Sequence, residues 1–411
     1  MVSKHIPSNI ERMANTAERF LLLQGPLGGF FTDLAHWLKQ QGKQVFKLNF
    51  NHGDEHDYHL SENTHTYCDI YPNFPDFLAN FVQTHGIQAI VCFGDTRPYH
   101  RVAKLYCQQN DIAFWAFEEG YFRPNFVTLE QNGVNAFSTL PRNSDFFLNE
   151  FASLREQNYV APSSVPGGFL RVSKHAARYY FYANLGKKRF PHYVHHRDFS
   201  ISHYLSLWIQ SGIKRFYYWQ HDRHFAQRVE QGEFGRFFIL PLQVFNDSQV
   251  RVHSDFSSIR NFLWHVLSSF NTHAPRDTQL IIKHHPMDRG FIDYKKHIDA
   301  FCEKYTQCQG RIFYVHDTPL PTLLRYGTGM VTLNSTAGLS ALVHHMPVKV
   351  LGRANYDMAG ITDQGSLAHF WTQPTPPDRE IFNAYRQYHI NVTQIHGNFY
   401  STVHLPKHAS N

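Results

Sequence analysis

The segment IIKHHP at residues 281–286 is a short apolar run that ends in a basic His-Pro corner. The segment LNSTAG at residues 333–338 has the same plan, because an apolar run passes into a hydroxyl-rich turn. A strand that leads through a polar loop into a helix is the repeating element of α/β folds. Unpaired backbone N–H groups at the start of such a helix attract anions. The two loops together predict a phosphate-binding site in an α/β fold.

The side chains of these two loops suit an anion by their chemistry. Lys283 and His285 share one strand face, and Pro286 restricts the backbone of His285 to extended geometry. Hydroxyl and amide groups can donate to phosphate, but they can equally cap a helix. The residues of these two loops therefore also fit an ordinary helix cap and a strand-ending turn. The candidate anion-binding residues are Lys283, His285, Pro286, Asn334, Ser335 and Thr336.

Apolar runs alternate with amphipathic segments in both halves of the chain. In the first half the predicted strands are 20–24, 44–50, 89–93 and 113–117, with helices at 30–40, 77–84 and 99–109. In the second half the predicted strands are 237–244, 279–284, 311–315, 329–333 and 347–351, with helices at 256–270, 291–305, 320–326 and 337–345. This alternation predicts two doubly wound, Rossmann-like α/β domains with parallel sheets covered on both faces.

The length of 411 residues also favours two domains. We expect an α/β domain at 1–145, an insertion at 146–232, and a second α/β domain at 233–373. The tail at 374–411 has weaker periodicity, with one helix-like piece at 379–388, and we expect it to pack back on the first domain.

The insertion is basic and aromatic. Residues 171–230 contain eleven Lys and Arg against three acidic residues, a net +8, whereas the whole chain has +6. Cationic side chains beside amphipathic rings suit an anionic membrane surface. They also suit single-stranded nucleic acid, but no nucleic-acid-binding signature accompanies them, so we expect no nucleic-acid partner. A largely helical insertion with aromatic core residues and a solvated charged face explains the same composition.

Composition excludes several classes of protein. The five cysteines form no CxxC pair, which argues against a disulfide framework or a zinc site and fits a cytoplasmic protein. No apolar run reaches 18 residues, so we expect any membrane contact to be peripheral. The segment HGDEH at 52–56 resembles a metal-ligand pattern, but we expect it to lie in a loop without a partner cluster. We therefore expect no metal and no cofactor.

Carboxylates follow predicted strands in both halves. Glu118 and Glu119 end the strand at 113–117, and Asp247 follows the strand at 237–244. Like charges in one cleft raise the pKa of one carboxyl group and suit it to proton transfer. A loop ion pair with Arg123, or a cap at Asp247, is the structural alternative.

Two further loops follow strands of the first half. Asp95 could orient Arg97 or a substrate, although a turn before a proline explains both residues. The loop with Gly25, Gly28 and Gly29 is not a dinucleotide-binding GxGxxG, but its glycines permit close backbone approach to a ligand.

Five ordered motifs together resemble the capsular polysaccharide synthesis family of the KpsS/LipB type. The match covers about residues 20–355. The motifs are QGPLGGFF at 24–31, EEGYFRP at 118–124, PLQVFNDSQ at 241–249, KHHP at 283–286 and NSTAG at 334–338, the last followed by Ala341 and Leu342.

The resemblance implies a retaining β-Kdo transferase of GT-B-like fold with CMP-β-Kdo as its donor. It places the enzyme in the bacterial cytoplasm, peripheral at the inner membrane. There it adds the first Kdo to a (lyso)phosphatidylglycerol acceptor and so initiates the oligo-Kdo linker of the capsule. A related dual-domain Kdo transferase and the capsule export complex are the implied partners.

Roles follow the motifs. The resemblance implies Asp247 as nucleophile or essential carboxylate, Glu119 as acid/base with Glu118 beside it, and the 283–286 and 334–336 loops as the holders of CMP. Arg123 could bind the Kdo carboxylate or pair with Glu118. The motif around Asp247 adds Gln249 to the donor side, and the acceptor-side candidates are Gly25, Gly28, Gly29, Asp95 and Arg97. The family pattern often has Asp where this chain has Glu119, which leaves the role of that carboxylate open.

Two other functions remain possible from the sequence. One is transfer from another CMP-sugar, as in a sialyltransferase. The other is a non-catalytic factor of capsule export or assembly that keeps a nucleotide-binding fold.

Overall fold

A computed structural model describes residues 6–154, 165, 166, 168–195, 201–244, 254–288 and 291–406. Within these ranges, the side chains of residues 169, 201–206, 208 and 209 are not described. The chain divides into two compact units. The first contains residues 1–140, 149–201 and 386–411, and the second contains residues 141–148 and 202–385.

The first unit is built on a seven-stranded sheet of order β12-β6-β5-β4-β1-β2-β3. Strands β1 to β5 are parallel to one another, and β6 and β12 are added antiparallel at the β5 edge. The strands are β1 Arg19–Leu22, β2 Gln44–Asn49, β3 Thr64–Thr66, β4 Ala89–Phe93, β5 Ala113–Glu119, β6 Phe126–Gln131 and β12 Gln394–His396.

Helices cover this sheet on both faces. They are α1 Asn9–Thr16, α2 Phe30–Gln40, α3 His52–Asp57, α4 Phe74–His85, α5 Pro98–Gln109, α6 Ser144–Leu154 and α7 Phe169–Leu185. The boundary between the units falls inside α6. Because β5 is buried on both faces, it is a continuous apolar run until it reaches Glu118. Alternate residues of β5 enter two separate cores, with Trp115 and Phe117 in one and Phe114 and Ala116 in the other.

The second unit is built on a five-stranded parallel sheet of order β11-β10-β7-β8-β9. Its strands are β7 Phe237–Pro241, β8 Gln279–Lys283, β9 Ile312–Val315, β10 Gly329–Thr332 and β11 Val348–Val350. Its helices are α8 Ile201–Asp222, α9 Phe225–Glu230, α10 Ile259–His273, α11 Lys295–Lys304, α12 Leu320–Tyr326, α13 Ala337–Val343, α14 Leu367–Phe370 and α15 Arg379–Tyr388, which ends beyond the unit boundary.

Both sheets have the doubly wound strand order in which the first strand lies at the centre. The order is β3-β2-β1-β4-β5 in the first unit and β9-β8-β7-β10-β11 in the second. The predicted fold class of two Rossmann-like α/β units is therefore confirmed. In such sheets, ligands bind beside the carboxyl ends of the strands where the winding direction changes. That point lies between β1 and β4 in one unit and between β7 and β10 in the other.

Two details differ from the sequence-based expectation. Residues 52–57 form the helix α3 rather than a loop, because the Asn51 side chain caps it by accepting a hydrogen bond from the Asp54 backbone N–H at 3.1 Å. The predicted insertion at 146–232 is divided between the units, so α7 belongs to the first unit and α8 to the second. The tail contributes β12 to the sheet of the first unit.

Gly338 provides a test of packing in the second unit. A Cβ atom at this position would collide with the phenol of Tyr356, which is 1% exposed. We expect Gly338→Ala to lower the free energy of unfolding by about 1–3 kcal/mol, as overpacking does. Gly212 lies in a helix of the same unit with no atom within 4 Å of its would-be Cβ. Gly212→Ala should therefore raise stability by up to about 1 kcal/mol. Urea denaturation followed by circular dichroism measures both, and equal effects would contradict the packing argument.

Candidate functional site

The switch point of the first unit is formed by the loops that follow β1 and β4. The guanidinium of Arg97 donates through Nη1 to the Gly25 carbonyl at 3.4 Å and lies 5.3 Å from the Phe93 ring centre. Arg97 therefore joins the two loops, with its aliphatic stem along the end of β4. Asp95 is buried and pairs instead with Lys104 at 2.9 Å.

The glycine loop is packed tightly on one side. The Gly28 N–H donates to Asp57 Oδ2 at 2.7 Å, and its φ of 98° favours glycine. A Cβ at Gly28 would meet the His175 ring, and one at Gly25 would meet Phe31. At Gly29, by contrast, no atom lies within 4 Å of a would-be Cβ. The backbone near Gly29 is thus the part of this loop that a ligand can approach.

A buried polar network that sequence reasoning missed lies at the end of β1. The amide of Gln24 donates to Asp54 Oδ2 at 3.1 Å and to the Tyr193 hydroxyl at 3.0 Å. The Tyr179 hydroxyl donates to Asp54 Oδ1 at 2.8 Å. Burial is the main reason that the pKa values of Tyr179 and Tyr193 are raised, so both phenols stay protonated. Tyr179 is thus a donor to Asp54, and Tyr193 is an acceptor from Gln24. The only sequence signal was the aromatic run of the insertion, and the network anchors that insertion to the first sheet.

Glu118 and Glu119 point to different partners at the end of β5. Glu118 accepts from the Glu119 backbone N–H at 2.9 Å and from Asn135 Nδ2 at 3.4 Å. Glu119 accepts from the Tyr400 hydroxyl at 2.9 Å, so a residue of the chain's tail orients it. Tyr400 was not a predicted site residue, since nothing in its local sequence links it to a strand end.

The surroundings of Glu118 shift the pKa of its carboxyl group. Burial raises its pKa to about 7, and the negative charges of Glu119 and Asp95 act in the same direction. The Glu119 backbone N–H and the charge of Arg123 oppose this shift. The guanidinium of Arg123 donates through Nε to the Gly120 carbonyl at 3.3 Å. A carboxyl group with a pKa near 7 can both hold and release a proton under neutral conditions.

The switch point of the second unit is bridged by two amides. Gln243, just after β7, donates through Nε2 to Asn334 Oδ1, just after β10, at 2.9 Å. Gln243 is 7% exposed, and its Oε1 has no hydrogen-bond partner among the residues that the structure describes. Gln243 belongs to the PLQVFNDSQ motif at 241–249, but the sequence alone does not identify it as a site residue.

The turn at 334–336 is held by its own side chains and by Tyr356. Ser335 Oγ accepts from the Ala337 N–H at 3.1 Å, and the Tyr356 hydroxyl donates to the Ser335 carbonyl at 2.6 Å. Thr336 is the N-cap residue of α13, but its side chain makes no capping hydrogen bond. Because α13 has only seven residues, the turn offers an anion its side chains more than a helix dipole.

The loop after β8 lies on the next strand of the same sheet edge. Lys283 Nζ donates to the His316 carbonyl at 3.4 Å, and His285 Nδ1 accepts from the Met287 N–H at 3.2 Å. Pro286 begins a short 3₁₀ turn. Three adjacent parallel strands therefore carry polar residues at their carboxyl ends: Lys283 is the last residue of β8, and Gln243 and Asn334 follow β7 and β10.

The helix α8 packs on this edge through its last turn, which sequence reasoning also missed. Asp222 accepts from the backbone N–H groups of His316 at 2.6 Å and Asp317 at 2.8 Å. Tyr218 stacks on His316 with ring centres 3.5 Å apart and an angle of 7°. These contacts hold the loop after β9 against α8. The i, i+4 spacing of Tyr218 and Asp222 was the available signal.

Two of the residues predicted for the donor side, Asp247 and Gln249, lie outside the described residues. Within the described ranges, no group of three or more His, Cys, Asp or Glu side chains could hold a metal ion. No helix in the part of the chain that the structure describes is both long and apolar enough to cross a membrane.

The fold defines a two-unit protein of the doubly wound α/β type, with polar residues at the strand ends of both units. A family model described as "Capsule polysaccharide biosynthesis protein" matches residues 88–400. The chain belongs to this capsule polysaccharide biosynthesis family.

Two curated relatives match nearly the full chain. It is 57% identical over 402 residues to the capsule polysaccharide modification protein LipB of Neisseria meningitidis serogroup B, covering 98% of this chain and 96% of the relative. It is 39% identical over 391 residues to the capsule polysaccharide export protein KpsS of Escherichia coli, covering 94% and 97%. Among solved structures, the β-Kdo 2,7-transferase of Thermosulfurimonas dismutans KpsC aligns with a TM-score of 0.40 and 12% identity, covering 88% of each chain.

Substitutions of Glu118 and Glu130 test whether burial raises the pKa of these two carboxyl groups. Burial raises the pKa of each carboxyl group from its ordinary value of 4.5 to about 7. The folded protein then binds more protons than the unfolded chain between these values, so stability falls as the pH rises from 4.5 to 7. We expect Glu118→Gln to raise the free energy of unfolding at pH 8 by about 1–3 kcal/mol and to flatten this pH dependence.

Glu130→Gln should have a similar effect on stability, because Glu130 is also buried. Denaturation curves between pH 4.5 and 8 measure both variants. An unchanged slope in Glu118→Gln would contradict the raised pKa of Glu118.

Proposed function

We propose that the chain is a retaining β-Kdo glycosyltransferase that uses CMP-β-Kdo. On this proposal it adds the first Kdo to a (lyso)phosphatidylglycerol acceptor and so initiates the oligo-Kdo linker of a bacterial capsular polysaccharide. Membership of the capsule biosynthesis family supports the biological setting. The donor and acceptor follow from the motif resemblance.

The observation that carries the proposal is the polar edge of the second sheet. The amides of Gln243 and Asn334 lie at the switch point between β7 and β10, and the cation of Lys283 lies at the end of the neighbouring strand β8. This is where doubly wound sheets bind nucleotides. The free acceptor Oε1 of buried Gln243 suits a donor group such as a cytosine amine or a ribose hydroxyl. Lys283 and His285 would stabilise the charge that develops on the leaving phosphate.

Chemistry by double displacement assigns a role to each carboxylate. Asp247 attacks the anomeric carbon of Kdo, the bond from that carbon to the phosphate oxygen breaks, and CMP leaves with the electron pair. Glu119 then takes the proton of the acceptor hydroxyl, whose oxygen attacks the anomeric carbon and displaces Asp247. Tyr400 holds Glu119 in position through its 2.9 Å hydrogen bond. Glu118 supplies a second proton-holding group close to Glu119, and Arg123 lies near both.

A second candidate function is a nucleotide-binding factor in capsule export that does no chemistry. The name of the 39% identical relative, a capsule export protein, favours this candidate. Transfer from another CMP-sugar is a further alternative. In each case a related dual-domain Kdo transferase and the capsule export complex are the partners we propose.

Transfer can be tested directly. Purified protein with CMP-Kdo and a fluorescent phosphatidylglycerol should give a lipid whose mass has increased by one Kdo. Asp247→Ala and Glu119→Gln should each lower the rate by orders of magnitude, since they remove the nucleophile and the base. Glu130→Gln is the matched control, because it changes a buried glutamate outside the strand-end site and should keep the rate. CMP-sialic acid tests the donor.

The possible outcomes separate the candidate functions. No product from intact, CMP-binding protein would exclude the lipid acceptor. Variants that retain capsule export in cells without any transfer would favour the assembly factor.

We further propose that the chain lies at the cytoplasmic face of the inner membrane and binds it peripherally. Large apolar side chains are exposed among cationic ones on both α7 and α8. They include Phe181 at 63%, Leu185 at 66%, Ile213 at 68% and Phe216 at 67% exposed. Such a surface combines apolar insertion with attraction to anionic lipid.

Vesicle flotation measures this binding. We expect the protein to float with phosphatidylglycerol vesicles and to release them progressively as salt is raised toward about 1 M, where charges are screened within about 3 Å. Lys214→Gln with Arg215→Gln should weaken flotation, because each cation near the surface contributes about 1 kcal/mol. Flotation that does not respond to salt would contradict an electrostatic role for this surface.

A further inference from the structure

A cationic cleft lies on one face of α7 in the first unit. Its volume is about 440 Å³, and its described lining residues are Leu170, Arg171, Lys174, His175 and Arg178. The four polar residues have the spacing i, i+3, i+4 and i+7, so they share one helix face. The volume is in the range of small-molecule sites, which is about 300–1,000 Å³.

The cleft is fixed to the rest of the unit at its inner end. Arg178 lies 3.7 Å from Asp57 Oδ1, and Asp57 Oδ2 accepts from the Gly28 N–H at 2.7 Å. The His175 ring fills the space over Gly28 and makes a hydrogen bond to the Tyr400 backbone. The buried Tyr179 hydroxyl anchors the following turn of α7 to Asp54. These contacts hold His175 and Arg178 in place at the inner end of the cleft.

Its charge is strongly positive. Burial, together with the nearby charge of Arg178, lowers the pKa of His175, so this ring is neutral near pH 7. Arg171, Lys174 and Arg178 remain as three cations, and Asp57 is the anion that faces them. Arginine guanidinium groups bind phosphate oxygens in a bidentate manner. Leu170 is 82% exposed and adds an apolar wall.

The cleft also lies close to the proposed acid/base. The His175 and Tyr400 ring centres are 6.2 Å apart, and the Tyr400 hydroxyl donates to Glu119 at 2.9 Å. Two side chains therefore separate the cations from Glu119.

We propose that this cleft binds the phosphodiester of a glycerophospholipid, and that it is the headgroup subsite of the lipid acceptor. The inference rests on the proposed function for the identity of the acceptor. Beyond the proposed function, it assigns the lipid headgroup a specific location on the protein. The membrane-binding surface attaches the protein to the bilayer, whereas the cleft binds one anionic headgroup of that bilayer.

The test uses the full chain and a soluble acceptor, dihexanoyl-phosphatidylglycerol below its micelle concentration, so that membrane attachment does not enter. We expect Arg171→Gln, and separately Lys174→Gln, to raise the KM for this acceptor about tenfold, as loss of a charged hydrogen bond does. The kcat and the KM for CMP-Kdo should not change. Arg101→Gln is the matched control, because Arg101 is also exposed on a helix of the first unit and lies outside the cleft.

Calorimetric titration of the same lipid in the absence of donor provides a second readout. Wild-type binding that is weakened in Arg171→Gln supports the cleft even if the protein transfers no Kdo, in which case only the proposed function fails. Three results would overturn the inference: an unchanged acceptor KM in both cleft variants, an equal change in Arg101→Gln, or inorganic phosphate that competes as strongly as the lipid. Circular dichroism confirms that each variant is folded.

Discussion

The buried hydrogen bonds around Asp54 hold the first unit's ligand-facing edge together. This carboxylate accepts from Gln24 at the end of β1 and from Tyr179 in α7. A buried charge is stable only when its acceptor positions are filled, so α7 must pack where its phenol reaches Asp54. That position in turn places His175 over Gly28 and Arg178 beside Asp57. The glycine loop, the cationic cleft and the packing around Tyr400 all follow from this one anchor.

The second unit uses the same principle with a different helix. Asp222 ends α8 and accepts two backbone N–H groups from the loop after β9. Both halves of the basic, aromatic insertion are thus attached through a buried aspartate at the carboxyl edge of a sheet. Exposed apolar and cationic side chains on the opposite faces of these helices remain available to a surface. In each unit separately, a helix of the insertion is thereby held at the strand ends.

Much of the fold was predictable because parallel strands are buried on both faces. The apolar run at 113–117 identified β5, and the runs at 279–284 and 329–333 identified β8 and β10. The helix α3 was not predictable from periodicity, since its six residues are mostly polar and its start depends on the Asn51 cap. Strand β12 was also missed, because it is three residues long and is defined by pairing with β6.

A site residue was predictable from the sequence only where it lies at or just after the end of a predicted strand. Lys283, Asn334 and Glu119 lie at strand ends, as expected from their sequence positions. Tyr179 and Tyr193 were not identifiable as members of a buried network, because their partner Gln24 is 155 and 169 residues away. Tyr356 and Tyr400 were missed for the same reason. Contacts between distant segments depend on the whole fold, and a single sequence carries no local sign of them.

The first unit is not continuous in the chain, and this has a consequence for its synthesis. Strand β12 and Tyr400 come from the last segment, after all of the second unit. A ribosome releases the N-terminal residues first, so the second unit can fold while the first still lacks an edge strand and the phenol beside Glu119. The edge of the first unit that carries Glu119 is therefore completed only after the second unit has been synthesised. A chain that stopped before β12 would lack both this edge strand and the phenol that donates to Glu119.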